Sequence, residues 1–485
     1  IDHLDIDKAA ECKTNKEKLP YVMAIMPPKF MTDRMVASLF EIQETITTWP
    51  QLASSVAYGG GICGNVCRRI LLGTFTDSGR YQLDMDSYFG NKKEKENPII
   101  STTKLKPSKS SLIKQTNQLS EIEVSATLEN NIRQVIKDGG RAPSGGNLQP
   151  WLWHFSKVHG LIQFIDKSQK SPLLDYNYSG SLIGLGAAAE NVVLSANKLN
   201  INLDTEFLGT SLDQENDLVC RFTQNKAITH PYPDFTNFIE SRVTNRKLGK
   251  RVVIEEKTLQ DLQKIANSVE GANLHFITEH EKLDQVAILY AKVELARLID
   301  TQGHLDFMQE IRWSEEEEKE SGDGINVWSL DIDEVDFAGL RACKQRGALE
   351  MIRKWNKGGK MVNLFKKSID SAGAVGLITM PTYSNRDLFF GGRALQRVWL
   401  AANKKGLAFQ PITPMTFLYY RMALGGQGLM DKETKQFLQS LKPMFDSVFN
   451  LSDQKKVFMF RLSMTDQKAP KSYRRNPQSL LTFQN

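Results

Sequence analysis

The sequence predicts an α+β fold. Three observations predict it: helical apolar spacing alternates with short strand-like runs from Thr127 onward, one helical segment recurs at a fixed interval, and an unusual turn lies between a helix and a strand. With 485 residues and 41% hydrophobic content, the chain can build sizeable cores. Its formal charge of +6, from 62 basic and 56 acidic residues, gathers largely in one polar segment and gives no footprint for nucleic acid. Five cysteines in no regular framework point to a reducing compartment, and no apolar run is long enough to span a bilayer; a soluble, cytoplasmic protein is expected. The opening IDHLDIDKAA has neither methionine nor a signal-like pattern, so the expectation is a piece of a longer polypeptide.

In chain order, residues 1–89 read as an α/β piece. Val36, Leu39, Ile42 and Ile46 have helical spacing, GNVCRRILLG suggests a helix closed by Gly73, and SGRYQLDMDSYF (78–89) alternates like a strand. YGGGICGN at Tyr58 lacks the Lys-Ser/Thr of a phosphate loop and reads as a close-packed helix start. Cys63 and Cys67 share a helix face, and buried small residues are expected there rather than a metal pair. The seven histidines show no ligand spacing, so no metal is expected. Residues 90–125, rich in lysine, serine and proline, read as a basic polar linker that buries too little to offset its ordering entropy.

The region 126–485 follows. Leu128, Ile132, Val135 and Ile136 make one face of a helix that DGG ends; WLWHFS and LIQFIDK read as strands, TLQDLQKIANSV as a helix and NLHFIT as a strand. GAAAENVVLSANK from Gly186 and GRALQRVWLAANK from Gly392 agree at Gly186/Gly392, Leu194/Leu400, Ala196/Ala402, Asn197/Asn403 and Lys198/Lys404, with Glu190 opposite Gln396. Two similar amphipathic helices explain this, and so do two related halves, about 126–225 and 226–485, folded as a pseudo-symmetric pair in one chain. An insert at about 312–365 opens with the acidic RWSEEEEKESGDG, which reads as a solvated face and also suits a lid between the halves.

The chemistry gathers in RAPSGGNLQPW. Pro143 and Pro150 fix φ while Gly145 and Gly146 permit conformations that other residues avoid, giving a rigid turn whose N–H groups can face a ligand. Ser144, Asn147 and Gln149 supply uncharged donors and acceptors suited to a heteroaromatic edge. A hydrogen-bonded turn capping a strand is the bland alternative.

This motif resembles the PSxxNxQPW signature of the nitroreductase family, FMN-dependent oxidoreductases of α+β fold, and the likeness runs from about Thr127 to Asn485, looking most like the duplicated, Acg-like branch. The resemblance implies one FMN per chain, held by the turn with Arg141, Pro143, Ser144, Asn147 and Gln149. Arg242, Thr244 and Arg246 of SRVTNR, with Arg474 and Arg475 of KSYRRNP, would grip its phosphate. It implies a backbone donor to the flavin from Pro411-Ile412-Thr413-Pro414, where relatives often have Pro-x-Glu-Gly; Pro414 has no N–H, so Ile412 or Thr413 must serve. No catalytic side chain is singled out, and the implied reaction passes hydride from NADH or NADPH through the flavin to an electron-poor acceptor such as a nitroaromatic or quinone.

A second resemblance lies upstream. Thr48 to Asp84 looks like the tail of a ThiF/E1-like adenylyltransferase domain, which makes an upstream domain of the same polypeptide the expected partner and places the protein among bacterial multidomain enzymes. Two rival readings stand beside the oxidoreductase: a flavin-sequestering protein whose insert occludes the site, and a structural partner of the adenylating domain that holds no flavin.

Overall fold

The computed structural model describes residue 5, residues 7–81 apart from 43, 50, 78 and 80, and residues 106–484 apart from 213–215, 226, 228, 229, 356, 427, 452 and 453. Most of the strand expected at 78–89 lies outside the described residues. The chain divides into two units, one taking in 1–102 with 333–360 and the other 103–332 with 361–485. The insert expected at 312–365 is therefore split between them.

In the first unit, α1 (Asn15–Ile25) begins at a capping box in which Thr14 Oγ1 accepts from Glu17 N–H and Glu17 Oε2 accepts from Thr14 N–H, both at 3.2 Å. Helix α2 (Asp33–Glu41) buries Val36 and Leu39, as their spacing predicts. It stops short of Ile46. The Glu41 carboxyl accepts from Thr45 Oγ1 at 2.8 Å and from Gly358 N–H at 3.2 Å, and this turn closes the helix. The following α3 (Ala53–Leu71) buries no residue at all. Two expectations are corrected here: Cys63 and Cys67 are exposed, and YGGGICGN lies inside this helix, where a Cβ added to Gly59, Gly60, Gly61 or Gly64 would meet no other element within 4 Å. Spacing identifies an apolar face but not whether another element covers it.

The second unit starts with α4 (Lys109–Thr116), inside the stretch expected to be a linker. Ser108 caps it, Leu112 and Thr116 are buried, and Gln115 bonds both the N–H and the carboxyl of Asp217. Those few anchors give the polar segment the partners that its composition alone did not promise. Helix α5 (Ala126–Gly139), capped by Ser125, buries Leu128, Ile132, Val135 and Ile136. Strands β1 (Trp151–Ser156) and β2 (Gly160–Ile165) are fully buried. They are followed by α6 (Ser179–Lys198), β3 (Leu203–Phe207) and β4 (Leu218–Gln224).

A similar series comes next: α7 (Glu256–Asn267), β5 (Asn273–Ile277), α8 (His280–Ile299), α9 (Thr301–Glu310), β6 (Ala374–Met380), α10 (Asn385–Lys404), β7 (Ala408–Pro411), α11 (Pro414–Ala423), α12 (Lys432–Phe449) and β8 (Lys455–Ser463). Strand β9 (Leu481–Gln484) ends the chain parallel to β1. Beside a short parallel pairing of Ile311–Arg312 with Ile325–Asn326, one sheet runs β9-β1-β2-β4-β3 and a second β5-β6-β8-β7. Leaving β9 aside, each is an antiparallel set in the order first, second, fourth, third.

Helices α6 and α10, one from each series, pack against each other, and every residue of α6 from Ser181 to Ala196 is buried. Their contacts are reciprocal. Gly186 faces the Phe389 carbonyl and Gly392 faces the Ile183 carbonyl; Glu190 accepts from Arg397 Nε at 2.5 Å, and Asn191 Oδ1 accepts from Gln396 Nε2 at 2.6 Å. Each contact is matched by its counterpart at the interval separating Gly186 from Gly392, which is the pairing rule of a local two-fold axis. The buried Glu190 also accepts from Arg393 and from His230 Nε2, so its charge is fully partnered.

Candidate functional site

The turn after α5 is built from strained backbone. Gly146, Asn147 and Gln149 adopt φ of 57°, 55° and 55°, a conformation easy for glycine, tolerable for asparagine and unfavourable for glutamine. Hydrogen bonds hold it: Ser144 Oγ accepts from Gln149 N–H at 2.9 Å, and Gln149 O accepts from Trp151 N–H at 2.9 Å. A Cβ on Gly146 would come within 2.7 Å of Glu310 Cγ at the end of α9, and Pro143 and Ser144 rest against Gly184 of α6. These contacts fix the turn from below and from one side.

The expected site residues separate into three groups. Asn147, Gln149 and Arg475 form a junction. Asn147 Nδ2 donates to Tyr473 O at 3.1 Å, Gln149 Nε2 donates to Gly322 O at 2.8 Å, and Gln149 Oε1 accepts from Arg475 N–H at 2.9 Å. The Arg475 guanidinium reaches Gln149 O at 3.0 Å and Asp166 at 3.4 Å. These side chains are spent on joining the turn to the C-terminal segment and the insert.

Arg141, Arg242 and Arg474 make the second group, a cation cluster. Arg242 is buried, with its guanidinium 4.5 Å from the centre of the Trp399 ring and Nη2 donating to Arg141 O at 3.0 Å. Its Nε and Nη1 are buried without a partner among the described residues, and so is Nε of Arg474. Burial, then the neighbouring charge of Arg474, holds the Arg242 pKa well below the usual arginine range. Burial and the charge of Arg141 push Arg474 down to about 10, against the opposing pull of Glu318. The ion pair of Arg141 is with the exposed Glu240 at 3.1 Å, a weak counterweight. Half-buried Thr244 follows Arg242.

Arg246 and the 411–413 segment make the third group. Arg246 Nη1 donates to Ser329 Oγ at 3.3 Å, and burial lowers its pKa. Pro411 ends β7, and Asn245 N–H donates to Phe409 O at 3.0 Å, tying the arginine segment to that strand. Ile412 N–H donates to Met459 O at 2.9 Å, which leaves Thr413 as the residue of this pair with a backbone donor not already used in that way.

Sequence reasoning missed Arg461, Glu310 and Glu318. Arg461 is wholly buried in β8, and its guanidinium bonds Gln410, Ser371 and the carbonyls of Arg246 and Lys247. Its signal was legible as a lone cation inside the apolar run VFMFRLS. Glu310 and Glu318 are buried carboxylates bordering the turn and the C-terminal segment, and Glu318 Oε1 accepts from Tyr473 N–H at 3.2 Å. Glu318 had no signal beyond membership of the acidic stretch, and Glu310, which precedes it, had none.

No family model matches the chain. It is 27% identical over 446 residues to the uncharacterized protein MT1398 of Mycobacterium tuberculosis, a match that takes in 90% of this chain and 58% of that protein. The chain thus spans under two thirds of that relative's length. Among solved structures, it is similar to a nitroreductase-like family protein from Bacillus cereus (14% identity, TM-score 0.27) and to the FMN-dependent nitroreductase NfnB from Mycobacterium smegmatis in complex with NADPH (12% identity, TM-score 0.30). Each likeness takes in 52% of this chain, with 96% of the first neighbour and 99% of the second. Both neighbours are nitroreductase-like. Among the described residues, no helix is long and apolar enough to cross a membrane.

Proposed function

We propose that residues 126–485 form a duplicated, Acg-like nitroreductase domain that binds one FMN and passes hydride from NADH or NADPH to an electron-poor acceptor such as a nitroaromatic or quinone. The observation that carries this reading is Arg242: a buried guanidinium with two unpartnered nitrogens, beside Arg474 and without a buried carboxylate of its own. A buried cation left unpaired is costly, and a phosphate dianion is the ligand that would supply both acceptors and opposite charge. The donor set therefore fits FMN. Arg242 and Arg474 would hold its phosphate with Arg141 and Thr244 at the margin, the strained 143–149 turn would face its ring, and Thr413 would offer a backbone donor. The flavin supplies the redox chemistry when bound, and the protein's part is to orient it and exclude water.

Two further features support the pseudo-dimeric form of this proposal: the common strand order of the two sheets and the reciprocal contacts of α6 with α10. Residues 1–89 are read as the tail of a ThiF/E1-like module. The support is α3, a helix of 19 residues that buries none of them, as expected of an element whose cover belongs to a larger domain. Five free cysteines suit the proposed reducing cytoplasm.

A second reading, flavin sequestration without turnover, is favoured by one set of contacts. Residues of the insert bond three of the four ligand segments: Gly322 takes Gln149, Glu318 takes Tyr473, Ser329 takes Arg246, and Asp331 pairs with Lys247 at 2.7 Å. Anaerobic addition of NADPH or NADH to the FMN-loaded protein separates the two. Bleaching of the flavin band is expected of the oxidoreductase, and a band that persists with both nucleotides would overturn that reading in favour of sequestration.

A further inference from the structure

Resting on the FMN reading, we infer that Arg461 is a positioning residue that holds the 242–247 arginine segment from behind, through the backbone of Arg246 and Lys247, and places there a positive charge with no carboxylate in ion-pair distance among the described residues. Two observations carry the inference. The first is connectivity. One guanidinium donates to Gln410 Oε1 at 2.6 Å, to Ser371 Oγ at 2.7 Å, and to the carbonyls of Arg246 and Lys247 at 3.0 and 3.2 Å. Gln410 immediately precedes the 411–413 segment, so a single side chain ties both walls of the proposed site. A planar fork with five donors can bridge so many acceptors, whereas a lysine ammonium cannot.

The second observation is a contrast within the molecule. Arg461 lies opposite Gln410 in the pairing of β8 with β7, and Arg221 lies opposite Glu206 in the corresponding pairing of β4 with β3. Arg221 is neutralised by that carboxylate at 2.6 Å. In its own strand pairing Arg461, though wholly buried, takes an amide, a hydroxyl and carbonyls as hydrogen-bond partners among the described residues. Stability alone favours a carboxylate there, because a buried charge without a counter-charge is expensive. Withholding one leaves the Arg461 charge behind the arginine segment without a carboxylate in ion-pair distance, Asp331 being spent on Lys247 at 2.7 Å, and the low dielectric carries its field further than water would. Burial lowers the Arg461 pKa to about 10 against the opposing pull of Tyr290 and Asp331, with a smaller push from the like charge of Arg246, so it stays protonated at neutral pH.

The test compares FMN with riboflavin, which lacks the phosphate, in fluorescence titrations of the full chain. Two variants are used. Arg461→Lys removes the fork and keeps the charge; Gln410→Glu keeps the fork and supplies the missing carboxylate, and because it copies the Arg221–Glu206 pairing it is expected to fold. Both are predicted to weaken FMN at least about tenfold, the value of one charge-assisted hydrogen bond, while riboflavin affinity changes by less than about threefold. A merely structural role would weaken both flavins together. A wild-type chain that binds neither flavin overturns the FMN reading and this inference with it. Wild-type binding of FMN with an unchanged FMN-to-riboflavin ratio in Gln410→Glu overturns this inference alone, whether or not Arg461→Lys folds.

Discussion

At the scale of single residues, the site trades stability for a charge it leaves unpaired. Arg242 illustrates this: its burial against Trp399 leaves two nitrogens without acceptors. Arg242→Met should therefore raise the unfolding free energy of the ligand-free protein by about 1 kcal/mol in urea titrations and weaken FMN by roughly a hundredfold. Gly146→Ala should act in the opposite sense on stability. A side chain at φ of 57° meets the Glu310 side chain, and a loss of about 1–3 kcal/mol is expected in the same titrations. The turn and Arg242 were legible in the sequence because several constrained residue types are crowded into a few positions. Arg461 was not, because its meaning lies in carbonyls 214 and 215 positions away.

At the scale of elements, the crossing of α6 and α10 depends on two glycines that leave room for backbone only. Gly186→Ala or Gly392→Ala places a methyl against the Phe389 or Ile183 carbonyl, which no rotamer change relieves. Each should cost roughly 3 kcal/mol or more, and calorimetry should show both melting well below the wild type. The same interface carries a pH dependence. Burial alone would raise the Glu190 pKa, but the charges of Arg397 and Arg393 and the hydrogen bond from His230 hold it well below its ordinary value of 4.5. The folded protein thus binds this proton less readily than the unfolded chain. Its contribution is fully present above 4.5 and is lost as pH falls toward the depressed folded value. Glu190→Gln should lower stability at neutral pH and flatten the acid limb of the stability profile. Helices such as α5 were legible from apolar period alone; the fate of α3 and α4 was not, since burial depends on partners far away in sequence.

At the scale of the whole molecule, two sheets of the same strand order and a reciprocal helix pair accompany a cation cluster, and Arg461 bonds the backbone of the neighbouring arginine segment. The recurrence of one helical segment was legible in the sequence, and the reciprocal contacts of α6 with α10 fall at the same interval, whereas the division of the 312–365 insert between two units had no local signal, because it depends on which distant elements each part packs against. If the buried arginines are kept for one phosphate, the chain binds one flavin, and removing the phosphate from the ligand removes most of the affinity. The most direct test is a fluorescence titration of the purified chain with FMN, with riboflavin as the control. Saturation at one FMN per chain with much weaker riboflavin binding is predicted; equal binding of the two, or no binding of either, would contradict the account.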